Sequence, residues 1–383
     1  MSIRNGLTAL AAFAFAVPVL AAEPHAIPFK IVSEGPASQS RAVQLVVHSQ
    51  RVGRDFQIQI TAPHTPPILP GQTAPAIYVL DGGYDLAGPT GWLLGGAGSM
   101  APAYIITIDY PPGSPSTRRR DMLFGPASRF DGTVAEGGGG AAFRAFLLEE
   151  LKPLMEARYP LDPKAAILFG HSLSGIFTAN MLADRPEAFS GYLIASPSVW
   201  ADPSVIDRLQ TVAARSPGRK VFVAWGASED PDMLDGGQKV SAALASDPGR
   251  LTLKTRAFEG EQHISYYPLV MSAALPFLLP RAAPMKRPSP ITLTRAQTQR
   301  YFGTYSLSDG RKVTIGEDED GMLLEVQGAD PANIHAEALD QFYVHGVDAR
   351  ITFEAGPGPP AALSFYVNGT EARAVRSQAS GRP

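Results

Sequence analysis

The sequence contains no cysteine among its 383 residues. Disulfides, a thiolate nucleophile, cysteine-ligated metals and a cysteine-linked lipid anchor are therefore excluded. The sequence also lacks a block of charge of one sign, because 33 basic and 36 acidic residues leave a net charge of −3. This balance gives no electrostatic argument for nucleic acid or for a strongly charged partner. No apolar run reaches the roughly 20 residues that a membrane-spanning helix needs.

The N-terminus has the three parts of a secretory signal. Arg4 precedes an apolar stretch from Leu7 to Leu20, and two small residues, Ala21 and Ala22, follow it. This pattern predicts a signal peptide over residues 1–22 and a mature protein that is periplasmic or secreted. A buried N-terminal helix is the alternative, and Pro18 argues against it.

The rest of the chain predicts two domains of different class. Two strand-like runs, 42–47 and 55–60, open residues 23–280, and strands then alternate with helical segments, which is typical of a mostly parallel sheet. Prolines and basic residues over 281–290 predict a linker. Residues 291–383 hold short strands separated by turn signals such as Asp320-Gly321, which predicts a small antiparallel β domain, barrel-like or sandwich.

The strongest motif of the chain is Gly170-His171-Ser172-Leu173-Ser174-Gly175. It lies between an apolar run at 165–169, which predicts a buried strand, and a helical segment at 176–182. A serine at a strand-to-helix turn, two positions after a glycine, is typical of the nucleophile elbow of an α/β-hydrolase. Ser174 stands where this motif usually has glycine, and serine is small enough for the turn.

A serine nucleophile needs a base, and α/β-hydrolases carry serine, acid and histidine in that chain order. Among the seven histidines only His263 lies between the last predicted strand and the last predicted helix, although a plain surface histidine is the alternative. The segment after the strand at 221–225 offers three carboxylates for the acid. We favour Glu229, then Asp232, then Asp230.

The oxyanion formed by attack on an ester needs backbone N–H donors. Leu173, the residue after the nucleophile, supplies one. The second is expected in the glycine-containing loop after an early strand, where we assign Gly83, with Tyr84 as the alternative donor. An ordinary glycine turn is the competing interpretation of this loop.

Residues 40–280 resemble the "Putative esterase" branch of the α/β-hydrolases, which includes enterochelin-type siderophore esterases, esterase D, S-formylglutathione hydrolases and feruloyl esterases. They look most similar to periplasmic siderophore-trilactone esterases. The matching segments are Val47–Phe56, Tyr78–Gly82, Arg118–Asp121, Glu150–Tyr159, Gly170–Gly175, Ser196–Trp200 and Gly226–Glu229. The resemblance implies an α/β-hydrolase fold, with a mostly parallel sheet and helices on both faces. The last 90 or so residues resemble β modules appended to other secreted serine hydrolases.

The resemblance also implies roles for further residues. Glu229 falls where the triad acid is expected. Arg120, Tyr84 and Trp200 are candidate substrate-binding residues, although Arg120 could instead pair with Asp121 and Trp200 could simply pack. No metal and no cofactor is expected, and the partner is a small-molecule ester.

The sequence therefore predicts a secreted serine esterase that works through an acyl-enzyme. An acyltransferase or a peptidase on the same machinery is the enzymatic alternative, and an inactive ligand-binding module is the alternative from another class. The β domain could bind a partner, shield the cleft or add stability.

Overall fold

A computed structural model of the chain describes residues 42–63, 69–82, 86–96, 100–128, 133–212, 215–216, 218–246, 251–279 and 289–377. The expected signal peptide over residues 1–22, and residues 281–288 of the expected linker, lie outside these ranges. Residues 41–383 make up one compact unit.

Eight strands of the described chain form one mixed sheet, in the spatial order β1-β2-β4-β3-β7-β8-β9-β10. Strands β1 and β2 form an antiparallel hairpin and β2 pairs antiparallel with β4, while all other neighbours are parallel. Two very short strands, β5 and β6, pair separately. The strands are β1 (Ala42–Ser49), β2 (Arg54–Thr61), β3 (Ala74–Leu80), β4 (Tyr104–Asp109), β5 (Ala127–Ser128), β6 (Val134–Ala135), β7 (Leu161–His171), β8 (Gly191–Ala195), β9 (Lys220–Gly226) and β10 (Thr252–Phe258).

Helices cover both faces of this sheet. Alternate residues of a strand point to opposite faces, so one strand can contribute side chains to the packing on both. Ile77 and Val79 of β3 belong to the apolar cluster that α1 and α8 complete, whereas Tyr78 and Leu80 belong to the cluster on the other face. The α/β-hydrolase prediction is confirmed. The helices of this domain are α1 (Ala87–Gly96), α2 (Arg118–Met122), α3 (Gly140–Ala145), α4 (Lys152–Arg158), α5 (Leu173–Asp184), α6 (Val205–Gln210), α7 (Pro231–Ala245) and α8 (Tyr267–Leu278).

A π-helical segment, Phe146–Leu151, separates α3 from α4. A π segment widens the helix and turns its side chains relative to an α-helix. Within it, the Glu150 carboxylate accepts hydrogen bonds from Ser49 Oγ (2.6 Å) and from the backbone N–H of Gln50 (3.0 Å). The segment therefore ties the β1–β2 turn to the body of the domain.

The C-terminal domain is a closed antiparallel barrel of eight strands, which decides between the two architectures expected. A short helix, α9 (Arg295–Gln299), precedes it, with a capping box in which Thr294 and Gln297 bond reciprocally. Its interior is filled by apolar side chains, among them Tyr301, Phe342 and Phe353. The strands are β11 (Gly303–Ser306), β12 (Lys312–Asp318), β13 (Gly321–Val326), β14 (Ala332–Ala338), β15 (Gln341–Val344), β16 (Ala349–Phe353), β17 (Ala362–Val367) and β18 (Thr370–Arg376).

None of the helices in the described ranges combines the length and the apolar character needed to cross a bilayer.

Candidate active site

Ser172 occupies a tight turn between β7 and α5, with backbone angles φ +63° and ψ −119°. A residue with a side chain rarely adopts a positive φ, and the strain is typical of a nucleophile elbow. The turn brings backbones together, since a Cβ on Gly170 would lie 2.0 Å from the Ser174 carbonyl oxygen and a Cβ on Gly175 would lie 2.5 Å from that of Ala195.

Ser174 also stabilises the elbow through its side chain. Its hydroxyl accepts a hydrogen bond from the His171 N–H and donates one to the His171 carbonyl, each at 2.9 Å. Ser174, which replaces the usual glycine of the motif, therefore stabilises the turn by bonding to His171, the residue before the nucleophile.

The three candidate acids after β9 occupy different environments. Glu229 is buried, and its Oε2 lies 3.1 Å from Nδ1 of His263. Asp230 and Asp232 are exposed at the start of α7. The fold thus brings Glu229, rather than either aspartate, to His263.

The second carboxylate oxygen of Glu229 is held by the protein. Ser196 Oγ donates to Oε1 at 2.5 Å and the Gly226 N–H donates at 2.6 Å, while the buried Tyr266 hydroxyl bonds to Ser196 Oγ. Burial alone would raise the pKa of Glu229, but the hydrogen bonds from His263, Ser196 and Gly226 outweigh it and lower the pKa below its usual value. Glu229 is therefore an anion suited to holding an imidazolium.

His171 supports the loop that carries His263. Its Nε2 lies 2.7 Å from the His263 carbonyl oxygen, so this nitrogen bears the proton, and the two rings lie 4.6 Å apart. Burial, followed by the proximity of His263, lowers the pKa of His171 to about 4. His171 is a neutral donor at ordinary pH. Sequence reasoning gave it no role in the site.

Ser172 and His263 lie at the same edge of the sheet without a direct hydrogen bond. The Ser172 hydroxyl is 3.5 Å from the Ser198 hydroxyl instead. Since His171 precedes Ser172 and packs against the His263 ring, the imidazole adjoins the elbow. Catalytic hydrogen bonds of free enzymes are often long and shorten when substrate binds.

The two expected oxyanion donors can be located only in part. Leu173 opens α5, so its backbone N–H is among those with no acceptor inside the helix. Gly83 and Tyr84 lie outside the described residues. The two residues before them, Asp81 and Gly82, both have positive φ, at +65° and +62°.

Three consecutive arginines open α2, and the first of them contacts the elbow. Arg118 forms a bidentate ion pair with Asp81 and also donates to the His171 carbonyl at 3.3 Å. Arg118, Arg119 and Arg120 line a cavity of about 470 Å³, which Ser116, Thr117, Val134 and Glu136 complete. Arg118 thus reaches the residue before the nucleophile, whereas Ser172, Leu173 and His263 are not among the residues that line this cavity.

The structure favours the alternatives for Arg120 and Trp200. Arg120 pairs with the buried Asp121 (Nε to Oδ1, 2.9 Å), so Arg118 rather than Arg120 contacts the elbow. Trp200 is partly buried and packs against the apolar cluster of the α/β domain. Within the described ranges, no group of three or more histidine, aspartate or glutamate side chains could hold a metal ion.

The chain is similar to known esterases. A family model described as "Putative esterase" matches residues 49–266, which end before the barrel. The ferri-bacillibactin esterase BesA of Bacillus subtilis is 32% identical over 257 residues, which are 61% of this chain and 88% of that protein. A siderophore triacetylfusarinine C esterase of Aspergillus fumigatus is 30% identical over 170 residues, 40% of this chain and 56% of that protein.

A solved structure gives the same result for the fold. The BES protein from Bacillus cereus superposes with a TM-score of 0.59 at 28% identity, over 65% of this chain and 99% of that one.

Proposed function

Because this chain belongs to the "Putative esterase" family, we propose that it is a secreted serine esterase whose triad is Ser172, His263 and Glu229. The observation that carries the proposal is the 3.1 Å pair between Glu229 and His263 next to a strained serine elbow. The chain order serine, acid, histidine is that of an α/β-hydrolase and supports the proposal.

The proposed reaction has two halves. Ser172 Oγ attacks the ester carbonyl carbon while His263 takes its proton on Nε2, since Nδ1 faces Glu229. The acyl–oxygen bond then breaks, and the alcohol leaves with that proton. Water attacks the acyl-enzyme by the same route, releases the acid and restores Ser172. Glu229 orients His263 and stabilises the imidazolium without taking the proton itself.

The oxyanion of each tetrahedral intermediate is stabilised by the backbone N–H groups of Leu173 and Gly83. A lost donor typically costs about 3 kcal/mol of transition-state stabilisation. Donors that meet the oxyanion better than the ground-state carbonyl oxygen raise kcat rather than only lowering KM.

We further propose that the substrates are ester-linked siderophores. The names of two relatives support this class, since one is a ferri-bacillibactin esterase and the other a siderophore triacetylfusarinine C esterase.

Active-site labelling tests the nucleophile. We expect a fluorophosphonate to modify the purified protein at Ser172, as located by mass spectrometry of the peptides, and the label to vanish in Ser172→Ala. Turnover of p-nitrophenyl esters of rising chain length, run beside a catechol-siderophore trilactone, reports the substrate class. Analysis of the products with and without added alcohol distinguishes hydrolysis from acyl transfer. A protein that takes no label and turns over none of these esters contradicts the proposal.

The same assay tests the acid with matched controls. Glu229→Gln should lower kcat by about 10³- to 10⁴-fold, because the amide favours the wrong histidine tautomer. Asp230→Asn and Asp232→Asn should stay within about twofold of the parent, since both carboxylates are exposed. Equal losses in all three variants would remove Glu229 from the triad.

A further inference from the structure

The loop expected to carry the second oxyanion donor begins in a strained conformation. Asp81 follows β3 directly and has φ +65°, and Gly82 follows it at φ +62°. A residue with a Cβ is disfavoured there, so surrounding contacts must hold the backbone. Gly82 is also confined, since a Cβ on it would meet Asp109 Oδ2 at 2.3 Å.

The guanidinium of Arg118 holds the backbone at Asp81 in place. Arg118 Nε and Nη2 donate to the two oxygens of the Asp81 carboxylate at 2.7 and 2.8 Å, and Nη2 also donates to the His171 carbonyl at 3.3 Å. Both side chains are mostly shielded, at 31% and 17% exposure. Arg118 therefore joins the start of the oxyanion loop to the residue before the nucleophile.

Arg118 is itself fixed by a buried anchor. The Asp121 carboxylate, fully buried in α2, accepts hydrogen bonds from Thr117 Oγ1 (2.5 Å), Tyr110 OH (3.0 Å) and Arg120 Nε (2.9 Å). Arg54 from the β1–β2 hairpin also donates to Thr117. A short helix that would be weak alone thus presents Arg118 from a rigid base.

The geometry points to Arg118 as a positioning residue that holds the oxyanion loop, through Asp81, at a set distance from the nucleophile elbow. The inference rests on the proposed esterase activity. Arg118 acts on the loop rather than on the substrate, so its removal misplaces N–H donors that matter most in the transition state. The bidentate geometry is what matters, because lysine carries the same charge without the planar fork.

The test compares Arg118→Lys with Arg158→Lys, an exposed arginine at the end of α4, in the full chain. We expect Arg118→Lys to lower kcat by about 10- to 100-fold with KM changed by less than about threefold. Arg158→Lys should match the parent. Asp81→Asn, which keeps the side-chain shape, should reproduce the kcat loss, and the double variant should be no worse than Arg118→Lys, because both act through one contact.

An inhibitor series separates positioning from a merely structural role. A trifluoromethyl ketone, which forms the tetrahedral adduct, should bind Arg118→Lys more weakly by the same factor as kcat falls, while a non-reactive ether analogue of the substrate should bind unchanged.

Three results would overturn the inference. The first is a raised KM at unchanged kcat in Arg118→Lys, which would mean that Arg118 contacts the substrate directly. The second is an unchanged kcat in Arg118→Lys with no change in KM. The third is a double variant in which the losses of the two single variants add. Failure of the proposed function looks different, because the parent protein would then turn over no ester.

Discussion

His171 is a neutral imidazole in surroundings that disfavour a second proton. It is 4% exposed, it donates to the His263 carbonyl, and the rings of His263, Tyr266 and Tyr267 lie within 6 Å of it. A charged His171 would lose hydration and lie beside a second imidazole that is charged during catalysis. The residue that anchors the catalytic loop is therefore also a source of acid sensitivity.

The pKa of His171, about 4 against an ordinary 6.5, makes stability depend on pH. Between these two values the unfolded chain binds the proton and the folded chain does not. The contribution of His171 to stability should thus be complete above pH 6.5, fall as the pH drops to about 4, and level off below that. At 1.36 kcal/mol for each pH unit, the loss is about 3 kcal/mol.

Urea unfolding of the parent and of His171→Gln, from near pH 7 to near pH 4.5, checks this expectation. Glutamine retains an N–H donor for the His263 carbonyl and does not titrate, so the variant should lose much less stability with falling pH. His48→Gln, which removes an exposed histidine, serves as the control and should behave like the parent. A parent-like decline in His171→Gln would contradict the assignment.

Residue order could identify the proposed triad but not its supports. Ser172 and His263 are marked by a local motif and by their place in the chain. Ser196 bonds to Glu229, which is 33 positions away, and Tyr266 bonds to Ser196, which is 70 positions away. Arg118 bonds to Asp81, which is 37 positions away. No local pattern encodes such distant pairs. Among three adjacent arginines, only the direction of α2 distinguishes Arg118 from Arg120.

At the scale of elements, the elbow depends on how closely β7, α5 and β8 approach. Gly170 ends the apolar part of β7, where a Cβ would lie 2.0 Å from the Ser174 carbonyl oxygen and 2.4 Å from Thr178 Oγ1. Real Cβ atoms do not come so near to backbone, so a larger residue must push α5 away from the strand.

Gly170→Ala should therefore lower the free energy of unfolding by about 3 kcal/mol and abolish labelling of Ser172. Gly125→Ala is the matched control in the same domain, since its Cβ would meet nothing within 4 Å. Thermal unfolding and fluorophosphonate labelling measure the two effects. A Gly170→Ala protein as stable and as reactive as the parent would show that the elbow can relax.

Tertiary packing, rather than local sequence, determines the elements that the sequence pattern did not indicate. Helix α7 carries Gly236 and Gly237, which lower helix propensity, yet a Cβ there would press on the Pro197 carbonyl oxygen and on Trp225. Strand β14, Ala332–Ala338, contains three alanines and pairs with β13 and β15 inside the closed barrel. Tertiary packing decides such segments, whereas the strongly apolar strands of the sheet were evident from sequence alone.

At the scale of the whole molecule, the barrel contacts the α/β domain far from the catalytic residues. Leu69, just before β3, is 1% exposed and belongs to the apolar cluster of the barrel, together with turn residues such as Leu307 and Val347. Burial raises the pKa of Tyr104 at the start of β4, and the charge of Arg311 from the same end of the barrel opposes this rise. Both contacts lie towards the amino ends of the parallel strands, whereas Ser172 follows the carboxyl end of β7.

The position of the barrel distinguishes among its three candidate roles, which are binding a partner, shielding the cleft and adding stability. Since both of these contacts lie at the edge of the sheet opposite Ser172, we expect the barrel to affect the stability of the α/β domain rather than the cleft. Leu69→Glu tests this, because it forces a carboxylate into an apolar cluster. The variant should lose about 2 kcal/mol or more of stability and be cleaved faster by trypsin, while kcat/KM of the undigested protein stays within about twofold.

Leu339→Glu is the matched control, since Leu339 is 49% exposed in the turn between β14 and β15. It should alter neither the cleavage rate nor the unfolding midpoint. If Leu69→Glu instead lowered kcat/KM tenfold while the α/β domain remained folded by circular dichroism, the barrel would be shaping the active site through the sheet. A cleavage rate equal to that of the parent would mean that Leu69 does not hold the two domains together.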